Sequence, residues 1–146
     1  MTAMTATALD RNHATQSYVT TGMTTGAVRS WLRLEGLAAF AAGLVLYAMS
    51  GGEWLWVIPA LLLPDLSAAG FLAGARVGTF TYNFVHNWAP GFIALALGIW
   101  LSSPELQVIA AILIAHVGMD RAVGYGLKLP TSFHDTHLGR MGRSKA

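Results

Sequence analysis

Four stretches of about twenty residues in this chain carry almost no charge, and an apolar run of that length has few stable destinations other than the interior of a bilayer. They are Leu32–Met49, Trp54–Ala73, Thr81–Leu101 and Glu105–Tyr125. The links between them are short, around Ser50–Glu53, Gly74–Gly78 and Ser102–Pro104, and are made of turn-forming Gly, Ser and Pro. Short links join antiparallel neighbours, so the expected fold is all-α: an up-down four-helix transmembrane bundle over residues 29–128. Residues 1–28 read as a flexible polar leader and 129–146 as a tail. Only 11% of the 146 residues are charged, against about a quarter in soluble domains, which is too few to cover a soluble surface.

The placement of Lys and Arg orients the bundle. Arg29, Arg33, Arg76, Lys128, Arg140, Arg143 and Lys145 all fall at one end of the spans, and the other two links have none. Both termini are therefore expected in the cytoplasm. Tyr47, Trp54, Trp56 and Trp100 would mark the outer interface, and Trp31, Tyr82 and Tyr125 the inner one. Basic residues are not clustered with stacking aromatics, which argues against nucleic acid as a partner. With no cysteine, disulfides, thiolate zinc sites, Fe–S clusters and thiolate catalysis are excluded. The expected partner is the lipid bilayer, with a homo-oligomer or a larger membrane complex compatible with the small size.

Against this background five ionisable residues stand out: Glu35, Asp65, His86, His116 and Asp120. Each costs several kcal/mol in hydrocarbon unless it meets a partner, a cavity or a ligand. At ~1.5 Å per helical residue, Glu35 lies ~5 Å from the cytoplasmic end of its span, His86 and Asp120 ~8 Å, Asp65 ~12 Å and His116 ~14 Å. All five fall in the cytoplasmic half, so one shared site is expected.

His116 and Asp120 are i and i+4 on one helical face. Asn83, His86, Asn87 and Pro90 form a polar stripe at i, i+3, i+4 and i+7. Pro64 removes a backbone hydrogen bond beside Asp65, and Pro59, Pro64 and Pro90 should kink spans two and three. Gly36 with Gly43, and Gly118 with Ala122, suit close helix packing. Arg121 diverges from Asp120 and is expected to reach Glu35, Asp65 or lipid phosphate. The tail adds His134, Asp135 and His137, which fold-back would bring under the cytoplasmic mouth; His13 in the leader has no assigned role.

Imidazoles and carboxylates without thiols suit a divalent transition metal such as Zn, Fe or Mn. The expected metal ligands are His86, His116, Asp120, His134 and His137, with Asp65 and Glu35 as catalytic carboxylates that activate a metal-bound water. The chain lacks HExxH and Glu-x-x-His motifs. The alternative is a non-enzymatic membrane subunit or scaffold whose polar cluster only ties helices together, and the lack of ionisable groups in the outer half argues against a proton path.

The runs ARVGTFTYNFVHNWAP (75–90), HVGMDRAVGYGLKLP (116–130) and FHDTHLG (133–139), with Pro-Asp-Leu-Ser at 64–67, resemble the bacterial family named domain of unknown function 4260. The resemblance covers roughly residues 30–140. It implies a small four-helix integral protein of the bacterial inner membrane and carries no reaction. A weaker likeness runs to small inner-membrane metal-dependent hydrolases, whose fuller His-Arg and Thr-His-Ser pattern is missing here.

Overall fold

The computed structural model describes residues 23–141; most of the leader with His13, and Arg143 and Lys145, lie outside the described residues. The described chain is built from α-helices: α1 (Gly26–Met49), α2 (Trp54–Leu62), a 3₁₀ segment (Leu63–Ala73), α3 (Ala75–Val85), α4 (Trp88–Trp100) and α5 (Pro104–Val123). A small hairpin, β1 (Asp135–Thr136) and β2 (Gly139–Arg140), follows. α1 begins at Gly26, inside the stretch expected to be leader.

Three segments are long and apolar enough to cross a membrane: Gly26–Met49, Trp54–Ala73 and Pro104–Val123. Trp88–Trp100 is apolar but shorter. Most of their large side chains point outward, Leu55, Leu72 and Trp100 among them, as expected of surfaces solvated by lipid. α5 is the axial helix. Ala110, Ala111, Ala115, His116 and Val117 are fully or almost fully buried along it.

Small residues let α1 lie directly on α5. A Cβ placed on Gly43 would stand 2.7 Å from the Ala115 nitrogen, and one on Gly36 would stand 2.8 Å from the Gly118 carbonyl oxygen. Neither backbone can give way, so the contact requires glycine, and lipid-phase association favours such close approach. One hydrophobic core sits toward the α1–α2 turn: Tyr47, Leu61, Ala111, Ile112 and Ala115, with Phe40, Leu44 and Val57 against it.

Span two changes its winding at Pro64. The ring removes a backbone donor and disfavours the α geometry before it, and the chain continues for eleven residues as 3₁₀ helix. Runs beyond three or four residues are uncommon because the hydrogen-bond geometry is poorer. Here α3 supports the segment from the side: Thr81 Oγ1 donates to the Ser67 carbonyl at 2.9 Å, and Gly70 and Gly78 admit Thr81 and the Phe71 ring. Gly74, at φ 106°, makes the turn that folds α3 back along it. With ~2 Å of rise per residue, Asp65 lies ~16 Å from the Ala73 end, deeper than an α-helical rise gives.

The third apolar stretch is two helices rather than one kinked helix. The break falls at His86–Asn87, where Asn87 is extended (φ −103°, ψ 167°), and not at Pro90. Pro90 sits in the first turn of α4, where a missing N–H costs nothing. Asn87 serves both sides of the break. Its Nδ2 donates to the Asn83 and Phe84 carbonyls at 2.8 Å each, and its Oδ1 accepts from Ala89 N at 2.8 Å as the N-cap of α4.

After α5 ends at the left-handed Gly124, the tail folds back on the helices. Leu127 and Leu129 pair with His137 and Asp135 through backbone hydrogen bonds, and Thr24 N donates to the His137 carbonyl at 2.7 Å. Leu138 and Thr136 are fully buried. Asn83 locks the tail to α3 by donating to the Lys128 carbonyl (2.9 Å) and accepting from Lys128 N (2.7 Å).

Candidate metal centre

Two irregularities of the backbone and one regular helix bring distant residues together. The 3₁₀ segment presents Asp65, the end of α3 presents His86, and successive turns of α5 present His116 and Asp120. His86 and His116 are 1% and 0% exposed and Asp120 6%, whereas the Asp65 side chain is 51% exposed. The two Nε2 atoms stand 3.0 Å apart. Asp65 Oδ1 lies 3.4 Å from His86 Nε2 and 3.7 Å from His116 Nε2. Asp120 Oδ2 lies 3.8 Å and 4.0 Å from the same nitrogens.

The tautomers follow from the partners of the other ring nitrogens. His116 Nδ1 meets the Leu61 carbonyl at 2.6 Å, and His86 Nδ1 meets the Tyr82 carbonyl at 2.9 Å. A carbonyl only accepts, so each Nδ1 carries a hydrogen, and in the neutral form of each ring this leaves an Nε2 lone pair facing inward. Two lone pairs at 3.0 Å repel unless a cation lies between them. This backbone anchoring of the outer ring nitrogen is the arrangement that orients metal-ligating histidines.

The donor set suits a divalent cation. A tetrahedral ion ~2.0–2.1 Å from each ligand holds its ligands ~3.3–3.4 Å apart. The separations of 3.0, 3.4 and 3.7 Å among Asp65, His86 and His116 lie around that value, and one ligand atom from each falls within 4.8 Å of the others. Two imidazoles and two carboxylates carry a formal charge of −2, and the buried Arg121 and Lys128 cations lie close enough to act on it.

Neighbouring side chains hold the set in place. Tyr82 stacks on His86 with ring centroids 3.6 Å apart and donates its hydroxyl to Asp120 Oδ2 at 3.2 Å. Arg121 donates to the His86 carbonyl at 3.1 Å and to the Tyr125 carbonyl at 3.2 Å, fixing the helix break to α5. Lys128, buried, donates to the Phe133 carbonyl at 2.7 Å with its ammonium 5.0 Å from the Tyr82 ring centre. Burial holds the Lys128 ammonium below the usual lysine range.

Four of the residues singled out in the sequence therefore meet: Asp65, His86, His116 and Asp120. Three others do not join them. Glu35 is exposed on α1, and His134 is exposed in the tail. His137 is half-buried, and its Nδ1 accepts from Leu127 N at 2.9 Å. Burial, and then the nearby Arg121 cation, lower its pKa to about 4. Three assignments change. Tyr82 is a buried partner of the site and not an interface anchor, Arg121 grips backbone carbonyls rather than Glu35, Asp65 or phosphate, and Tyr47, expected at the outer interface, is buried in the core with its hydroxyl donating to the Glu53 carbonyl at 2.7 Å. The i, i+4 spacing of Tyr82 and His86 is the sequence signal that pointed to the first; nothing local indicated the carbonyl partners of Arg121.

No curated protein and no solved structure matches the chain. A family described as a domain of unknown function (DUF4260) matches residues 29–141, a span that takes in every helix-borne residue of this cluster. The chain belongs to the DUF4260 family.

Proposed function

We propose that this protein is a membrane metalloenzyme in which His86, His116, Asp120 and Asp65 hold one divalent transition metal, Zn, Fe or Mn, and hydrolyse an ester-type bond. The observation that carries the proposal is the pair of inward-facing Nε2 atoms, each ring fixed by a backbone carbonyl, with Asp65 and Asp120 oxygens within 4.0 Å of both. A proton shared between the imidazoles would relieve that repulsion; a divalent ion relieves it and also engages both carboxylates.

In this reading α1, the α2–3₁₀ segment, the α3–α4 pair and α5 are four crossings of the bacterial inner membrane, with both termini in the cytoplasm. The one-sided Lys and Arg placement supports that orientation. A bound divalent ion lowers the pKa of a coordinated water toward neutrality. The buried residues have structural duties: His86 and His116 are held by carbonyls, and Asp120 is held by Tyr82. With the ion bound, Asp65, exposed on a 3₁₀ turn, would be the carboxylate placed to take the proton of a water attacking the acyl or phosphoryl centre and to return it to the departing alkoxide.

The competing reading is a scaffold in which the same contacts join α2, α3 and α5 without a metal; the hydrogen bonds from His116 to Leu61 and from Tyr82 to Asp120 favour it. Thiol substitution separates the two. Because the chain has no cysteine, His116→Cys introduces a single soft ligand. The metalloenzyme reading expects a cadmium–thiolate charge-transfer band in purified His116→Cys that disappears in His86→Ala/His116→Cys. A folded His116→Cys protein without cadmium affinity refutes it.

A further inference from the structure

We infer that the site opens sideways into the bilayer, at Asp65, and takes its substrate from the membrane: a single molecule with a long acyl chain and an oxygen-donor headgroup. The inference rests on the metal reading for the headgroup, while the direction of the opening rests on burial alone.

Toward the α1–α2 turn, the site is closed by the core around Leu61, Ala111 and Ala115, all buried. Toward the tail it is closed by Tyr82 on His86, by buried Lys128 beside Tyr82, and by the hairpin with Thr136 and Leu138 fully buried. The remaining side is that of the 3₁₀ segment. There the Asp65 side chain is 51% exposed, and the residues around it, Leu62, Leu63 and Leu66, are 56%, 61% and 70% exposed. Asp65 is the twelfth of the twenty residues of an apolar span. A carboxylate at that depth, framed by leucines, faces acyl chains.

A water-soluble substrate would have to cross either closed end. A membrane-dissolved amphiphile can present an ester or carboxyl oxygen to Asp65 and the histidines while its chain lies along Leu62 and Leu66.

The test uses full-length protein loaded with Co(II) in phosphatidylcholine nanodiscs, read by its visible d–d spectrum. The probes are myristoyl hydroxamate, which partitions into the bilayer, and acetohydroxamate, which stays in water. The expected result is a spectral shift with the long-chain probe that is lost in Leu66→Trp, and none with the short probe at the same total concentration. An equal shift with both probes, unaffected by Leu66→Trp, overturns the lateral opening.

Failure to bind Co(II) at all sinks the metal reading instead, and a spin label at Leu66→Cys then decides the opening. Relaxation by dissolved oxygen with little effect of a water-soluble nickel chelate supports a bilayer-facing position. Relaxation by the nickel chelate, or dipolar broadening from a second label on a neighbouring copy, overturns it.

Discussion

Replacing Asn87 with alanine tests whether the helix break is what places His86. Three hydrogen bonds of 2.8 Å are lost at once: two to the carbonyls of Asn83 and Phe84, and the N-cap bond from Ala89 N. The cap is worth about 1 kcal/mol. Each carbonyl bond adds roughly 0.6–1 kcal/mol, the lower figure being the average for polar contacts within membranes. The expected loss is therefore about 2–3 kcal/mol of stability for Asn87→Ala. For Asn87→Ser, which keeps a capping oxygen but not the amide donor, about 1–2 kcal/mol follows. Unfolding in mixed micelles, followed through tryptophan fluorescence with Trp88 adjoining the break, gives both numbers. His86 follows the freed backbone, so metal affinity should fall in the order wild type, Ser, Ala. If Asn87→Ala unfolds within ~0.5 kcal/mol of wild type and binds metal equally well, the break does not depend on this side chain and the reasoning fails.

Other perturbations address other parts of the structure. Tyr82→Phe keeps the stack on His86 and removes the hydroxyl from Asp120, so metal affinity should drop about tenfold with helicity unchanged, as measured by competition with a chromophoric chelator. Gly43→Leu forces α1 off Ala115, and an overpacked contact of this kind costs about 1–3 kcal/mol; a melting temperature equal to that of wild type would contradict the close approach. His137 concerns pH. Its folded pKa, about 4, lies below the ordinary 6.5, so the unfolded chain binds the proton more readily. The stabilising contribution is complete above pH 6.5 and declines as pH falls toward 4. Allowing for its partial exposure, the effect is about 1–2 kcal/mol. His137→Gln should flatten that part of the stability–pH curve, and an unchanged slope would count against the buried neutral ring.

Much of this arrangement is readable in the sequence, for identifiable reasons. Apolar length and the short Gly/Ser/Pro links mark the segments, and depth counting gathers Asp65, His86, His116 and Asp120. Small residues at 36, 43 and 118 mark the α1–α5 contact, which their backbones do make. The misreadings share a cause: hydropathy does not report winding. It cannot show that an eleven-residue 3₁₀ run starts at Leu63, beside Pro64, or that the helix breaks at Asn87 rather than Pro90, because each outcome depends on tertiary partners such as Thr81 and Arg121. Glu35 illustrates a further limit. Depth places it with the others, but its position on α1 turns it outward, and the next residue, Gly36, fills the α5 contact. The tail histidines were drawn in by composition. Their backbone pairing to Leu127–Leu129 sends His134 outward and commits His137 to a main-chain N–H.

As a metal centre, the two histidines and the carboxylates beside them hold one divalent ion. Elemental analysis of protein purified in detergent without chelator, joined to X-ray absorption at the edge of whatever metal is found, tests it most directly. The expected result is close to one metal per chain, with a first shell of nitrogen and oxygen at ~2.0–2.2 Å, two imidazole scattering signatures and no sulfur. Less than ~0.1 metal per chain, unchanged after incubation with Zn, Fe(II) or Mn(II), would contradict the account, since a preformed site of this composition binds such ions readily.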